Sequence, residues 1–179
     1  MNDETRRMYQ KTYKIKKTFL AAFSIDVFLL FLLFMMAVFL RGASSEKIIL
    51  AIMFIIILFI YIETRARKVL TGDQGILIKK FLREKELRWD EITQVGIVVL
   101  RKRVYLLLTT TKGFHILTNA YEAFTGLLID IAGHVERERV EEDVRKLIEH
   151  PLKRIADTVS MWFAGLVLVA IIALKLINH

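Results

Sequence analysis

Phe19-Leu-Ala-Ala-Phe-Ser-Ile-Asp-Val-Phe-Leu-Leu-Phe-Leu-Leu-Phe-Met-Met-Ala-Val-Phe-Leu40 is a run of 22 residues with only Ser24 and Asp26 as polar interruptions. At 1.5 Å per residue it makes a helix of about 33 Å, enough to cross a hydrocarbon core of about 30 Å. Two shorter apolar runs, Ile48 to Ile62 and Val159 to Leu174, complete a set of three. Their uninterrupted cores reach only about 22 to 24 Å as helices. Each therefore borrows flanking residues, Ala43 to Ser45 before the second and Leu176 and Ile177 after the third, with Lys175 snorkelling outward. A buried core helix or a re-entrant hairpin competes as a reading of the second run.

The first run is too long for a secretory signal core, and Leu40-Arg41-Gly42-Ala43 lacks a small-x-small cleavage pattern, so it is expected to stay as an anchor. Charge sets the orientation. Residues 1–18 hold Arg6, Arg7, Lys11, Lys14, Lys16 and Lys17 against Asp3 and Glu4, whereas the 41–47 connection holds only the cations Arg41 and Lys47. Arg65, Arg67 and Lys68 follow the second run. The positive-inside rule then places the N-terminus and the long middle segment in the cytoplasm, and the 41–47 loop and the Asn178-His179 tail outside. Tyr9, Tyr13, Tyr61 and Trp162 are expected at the cytoplasmic interface, where amphipathic rings prefer to sit. The chain has no cysteine, which fits a cytosol-facing domain without disulfides.

The net charge of +8 is unevenly distributed, at +4 for residues 1–18, +7 for 64–119 and −3 for 120–158. An anionic leaflet attracts such juxtamembrane cations by about 1 kcal/mol each. The cations follow no single basic helix and accompany no RNA-binding aromatic motif, so nucleic acid is not an expected partner.

Between the second and third runs the pattern changes to short β-rich pieces. Gly75 to Leu82 reads as a strand, turning at Arg83-Glu84-Lys85 into Glu86 to Trp89. Thr93 to Leu100 and Val104 to Thr110 flank a basic tip, Arg101-Lys102-Arg103, and Lys112-Gly113 turns into Phe114 to Thr118. Lys68 to Leu70 adds a short first strand or finishes the second membrane helix, giving five or six antiparallel strands. Asn119-Ala-Tyr-Glu122 resembles a capping box before a helix carrying Phe124, Leu127, Leu128 and Ile131, whose apolar face would close one end of a curled sheet. A second amphipathic helix is expected through Val140, Val144, Leu147 and Ile148, and Pro151 punctuates the entry to the last one.

The stretch Thr71-Gly-Asp-Gln-Gly-Ile-Leu-Ile, a basic hairpin, Leu87-Arg-Trp-Asp-Glu-Ile92, a Val-rich strand, two further strands and a closing helix resemble a bacterial pleckstrin-homology-like domain joined to membrane helices. The resemblance covers roughly residues 68–134. It implies that Trp89 and Ile92 pack an aromatic ring and an aliphatic side chain under the sheet. The charged helix and the third span after the domain depart from that pattern. The expected class is thus an α+β membrane protein with three transmembrane helices and a cytoplasmic antiparallel sheet or partly closed barrel capped by a helix. Its parts are a basic N-terminus (1–18), a transmembrane hairpin (19–63), the PH-like β domain (64–134), a charged amphipathic helix and linker (135–158) and a C-terminal span (159–177).

Catalytic chemistry has little support in the sequence. His115, His134, His150 and His179 show no metal-ligand spacing, and no nucleophile elbow or phosphate loop is present. Asp90-Glu91 reads as a turn between strands. No cofactor or metal is implied. Lys79, Lys80, Arg83, Lys85 and Arg88 on the first hairpin and Arg101, Lys102 and Arg103 on the second are candidates for a cationic face toward lipid phosphates or a partner, the alternative being a solvated rim. Asp26 is the intramembrane oddity. An ionised carboxylate costs about 2.5 to 3.5 kcal/mol at mid-bilayer, so a partner such as Ser160, a headgroup or a second subunit is expected, unless it stays wet near the headgroups. Ser160-x-x-x-Ala164 with Gly165 offers a small-residue surface for helix packing. Three functions follow from these residues: an assembly or regulatory scaffold for a neighbouring membrane protein or a second copy, engaged through the exposed sheet edge or the acidic helix 136–149, an anionic-lipid module, or a transporter component using Asp26.

Overall fold

A computed structural model describes residues 9–40, 43–100, 103–150 and 156–177. The chain is α+β. It divides into a β unit (residues 1–16 and 66–154) and a helical unit (17–65 and 155–179).

The helical unit holds α1 (Lys17–Phe39), α2 (Ser44–Ala66) and α5 (Ala156–Ile177). All three are long and apolar enough to cross a membrane. Ala22, Asp26, Leu30, Leu33 and Ala37 are the buried stripe of α1, spaced three and four residues apart as a packing face requires. Gly165 and Ile172 are buried on α5, whereas Ser160 and Ala164 are exposed, so of the three small residues expected to form a packing surface Gly165 is the one that is buried. Tyr61 of α2 shares a 2.8 Å hydrogen bond with Ser24 and meets Phe23 edge-on. Lys175 does not simply snorkel: it pairs with Glu46, at the opposite end of α2 from Tyr61.

The β unit holds two antiparallel sheets, with strand orders β1-β2-β3-β4 and β5-β6-β7. The strands are Tyr9–Lys14, Lys68–Gly72, Gly75–Lys79 and Glu84–Arg88, then Ile92–Leu100, Arg103–Thr110 and Gly113–Thr118. Among the described residues there are seven, because a strand precedes α1. β1 pairs with β2 from Tyr9↔Gly72 to Lys14↔Lys68, so the whole helical hairpin α1–α2 takes the place of the β1–β2 turn. The basic N-terminus is therefore partly sheet. Tyr9 and Tyr13 are core residues and not interfacial aromatics, since their rings are buried and their hydroxyls donate to Glu86 (2.8 Å) and Asp130 (2.5 Å). Burial, reinforced by the carboxylate each one faces, pushes both phenols far above their usual titration range.

Several boundaries move for identifiable reasons. Asn119 caps no helix: it is buried, its N–H donates to Val104 O, and the chain runs on to bridge Ile15 through Tyr121. Helix α3 begins only at Phe124, after Ala123 takes a left-handed conformation at φ 52°. Its Leu127, Leu128 and Ile131 are fully buried, as the closing-helix reading requires. The second amphipathic helix is shorter than expected. Val140 makes a parallel bridge to Val95 after a 3-10 turn at Arg137–Arg139, and α4 covers only Glu142–Glu149. Arg145 holds that break by donating to the carbonyls of Arg137 and Val140. The expected break at Pro151 lies outside the described residues.

Candidate binding surface

The register fixes where the first hairpin's cations go. Lys14, Lys68, Lys79 and Glu84 lie directly opposite one another across β1 to β4, so Lys80 to Arg83 form a tip beyond that row. Arg88 pairs with Gly75 at the other end of the sheet, five residues from Arg83, or about 16 Å along an extended strand. The five cations read as one face are thus split between two ends. Lys79 is also not a surface cation: it is buried, with its ammonium 2.8 Å from Glu84, because a buried charge needs a partner. Arg88 is exposed but gripped by Asp90 at 3.1 Å. Lys80, Arg83 and Lys85 remain exposed. Lys85 and Lys80 act on His115, whose imidazole is held below its usual pKa by burial first and by these two cations next. Arg103 is exposed at the start of β6, and Arg101 and Lys102 lie outside the described residues.

At the Arg88 end an open cleft of about 760 Å³ is lined by Asp73, Lys85, Glu86, Arg88, Trp89, Glu91 and Lys112, among others. Its charges largely satisfy one another. Lys112 sits 2.7 Å from Glu91, which its hydrogen bond and the Arg88 N–H hold below the ordinary carboxylate value. Trp89 is half-buried here, donating its indole N–H to Gly72 O at 2.9 Å and stacking on His134 at 4.6 Å. Ile92 is fully buried. The aliphatic member of the pair thus enters the core, while the ring seals the edge under the end of α3.

What the sequence reading missed is an apolar outer face on the β5-β6-β7 sheet. Gly96↔Leu107↔Ile116 and Val98↔Tyr105↔Thr118 are adjacent cross-strand rows, with Phe114 beside Thr109. Phe114 is 68 % exposed, Ile116 54 % and Val98 53 %. The opposite face carries Val95, Val104, Leu106, Leu108 and Leu117, all buried. The outer face is covered at its Gly96 edge by the Glu141 side chain, which accepts from Gln94 at 2.7 Å, and is left open around Phe114, Ile116 and Val98. β7 is an edge strand without a charge or a proline, so its free backbone groups lie beside that face. The one signal in the sequence was that large apolar residues fall on both faces of this strand, Phe114 and Ile116 on one and Leu117 on the other.

In the helical unit Asp26 is buried and, among the described residues, has no hydrogen-bond or ionic partner. Ser160, the expected partner, is exposed on α5. A Cβ at Gly165 would lie 2.8 Å from Asp26 Oδ1, so glycine is what lets α5 pass this close to the carboxylate.

Comparison of the chain with protein-family models, with curated proteins and with solved structures gives no match.

Proposed function

We propose that this chain is a non-enzymatic, membrane-anchored binding or scaffolding protein, whose cytoplasmic PH-like β domain engages a neighbouring membrane protein as an assembly or regulatory subunit. The carrying observation is the set of exposed apolar side chains Phe114, Ile116 and Val98, with half-buried Leu107 and Tyr105 between them. Contiguous apolar surface of this kind on a folded domain marks an interaction site more often than not. An adjoining unprotected edge strand adds main-chain pairing as a second source of affinity.

Strand pairing supports the topology. Lys14 of β1 and Lys68 of β2 are paired, which fits a hairpin of two crossings whose ends share one side of the bilayer. The Glu46–Lys175 pair joins the start of α2 to the end of α5, consistent with a third crossing that ends beside the α1–α2 loop. Tethering at both ends of the domain raises the effective concentration of a weak site toward other proteins of the same membrane. The four-plus-three strands closed by α3 support the PH-like reading.

A photocrosslinking residue placed at Phe114 in the full-length protein in native membranes is expected to give one dominant adduct. Ile116→Lys, at an exposed site, is expected to abolish the adduct without lowering thermal stability. Equal crosslinking with and without Ile116→Lys, or no protein adduct at all, would contradict the reading.

A further inference from the structure

The tip between β3 and β4 is Lys80-Phe81-Leu82-Arg83, and it presents Phe81 at 46 % and Leu82 at 80 % exposure. Two large apolar side chains at a hairpin tip oppose ordinary turn chemistry, which favours Gly, Asn, Asp or Pro. The tip also occupies a particular end of the sheet. The row Lys14↔Lys68↔Lys79 marks the end where β1 leads toward α1 and where β2 begins after α2, and Phe81 and Leu82 project beyond this row. Only Ile15 and Lys16 separate β1 from α1, and only Arg67 separates α2 from β2.

Lys79 in this row is paired with Glu84, but among the described residues the other two lysines lack such a counterpart. Lys14 and Lys68 are directly opposite each other, and among the described residues neither has a carboxylate partner. Like charges in that position destabilise a strand pair. An array of anions outside the protein removes the conflict. Lys80 and Arg83 flank the two apolar side chains and add cations at the same level.

We infer that the Phe81-Leu82 tip inserts into the headgroup region of an anionic bilayer, with Lys14, Lys68, Lys80 and Arg83 facing lipid phosphates. The inference rests on the membrane-anchored reading and goes beyond it: the β domain is held to the lipid surface at a third point besides its two helical connections. Apolar side chains flanked by cations suit the boundary between headgroups and acyl chains, about 5 to 10 Å deep. A third contact would fix the domain's orientation on the leaflet. It would also leave the opposite end, with Asp73, Asp90 and Glu91, in water.

The chain has no cysteine, so a single introduced thiol can carry an environment-sensitive fluorophore. Full-length Leu82→Cys, Asp73→Cys and Ile55→Cys proteins are labelled and reconstituted in vesicles of phosphatidylcholine with phosphatidylglycerol, some containing nitroxide-labelled lipid. The Leu82 probe is expected to emit blue-shifted, to be quenched by shallow lipid nitroxides and to be protected from aqueous iodide. The Asp73 probe is expected to behave as water-exposed. In a Lys14→Gln/Lys68→Gln background the Leu82 probe is expected to shift back toward red, as it is in vesicles of phosphatidylcholine alone. If the Ile55 probe is quenched by lipid while the Leu82 probe matches the Asp73 probe, the inference fails and the membrane reading stands. If the Ile55 probe is also unquenched by lipid, the membrane reading fails with it.

Discussion

Replacing Asp130 by Ala is expected to lower the stability of the β unit by about 2–4 kcal/mol and to free β1 from the sheet. Asp130 projects from α3 onto β1 and β2, and three donors converge on it. They are Lys11 Nζ at 2.6 Å, Tyr13 Oη at 2.5 Å and Thr71 Oγ1 at 3.1 Å. Removing the carboxylate strands the buried phenol of Tyr13 without an acceptor, and a lost partner costs more than an absent pair. The Lys11 contact contributes little, because that ammonium is largely exposed and screened.

The acid response of the same group has a definite sign. Burial pushes the Asp130 pKa up, but the hydrogen bonds from Lys11, Tyr13 and Thr71 and the Lys11 charge outweigh it and hold the group below its ordinary 3.8. A depressed folded-state pKa gives stability that is complete above pH 3.8 and lost as pH falls through the lower folded value. Melting of the full-length protein in detergent, together with amide exchange over Tyr9 to Lys14, measures both effects. Wild type is expected to lose stability below about pH 4, whereas Asp130→Asn lacks that step. Unchanged exchange in β1 for Asp130→Ala would show that this network does not hold the strand.

Gly75→Val is expected to be about as damaging, at 3–5 kcal/mol or roughly the upper range for single substitutions. A Cβ at Gly75 would lie 2.2 Å from Leu87 O and 3.0 Å from Arg88 Cα. Both obstacles are backbone of β4, so relief requires separating β3 from β4 at the Gly75↔Arg88 pair. The neighbouring pair Ile76↔Leu87, where both side chains are buried, would open with it. Gly133→Ala provides the control. Nothing lies within 4 Å of that position in α3, and an alanine there is expected to be neutral or to stabilise the helix by up to about 1 kcal/mol. Equal melting temperatures for Gly75→Val and wild type would mean that the β3–β4 pairing is not as described.

The parts legible in the sequence are those whose burial pattern is local. The three apolar helices announce themselves by length, and β3, β5, β6 and β7 by β-branched runs between turn residues. Strand β1 does not, because Tyr-Gln-Lys-Thr-Tyr-Lys is polar and its cations read as membrane-flanking charge. Its buried residues are tyrosines whose acceptors, Glu86 and Asp130, lie 77 and 117 residues away, beyond any periodicity window. Val140 and Val144 have helical spacing, yet Val140 is taken by a strand bridge to Val95, a tertiary choice that overrides local pattern. Lys79 counts as a surface cation by composition and is buried in fact, since its partner Glu84 returns across the tip. The candidate site was the least legible feature. Which face of β7 is inside depends on α3 and the first sheet, and alternation alone assigns Phe114 and Leu117 equally well to either side.

Both strands flanking the helical hairpin are expected in the cytoplasm, with the α1–α2 connection outside. Single cysteines at Ala43 and Lys112 of the otherwise cysteine-free chain test it directly, with a membrane-impermeant maleimide applied to intact spheroplasts and then after permeabilisation. Labelling of Ala43→Cys in intact spheroplasts, with Lys112→Cys labelled only after permeabilisation, is the expected result. Labelling of Lys112→Cys in intact spheroplasts would contradict it.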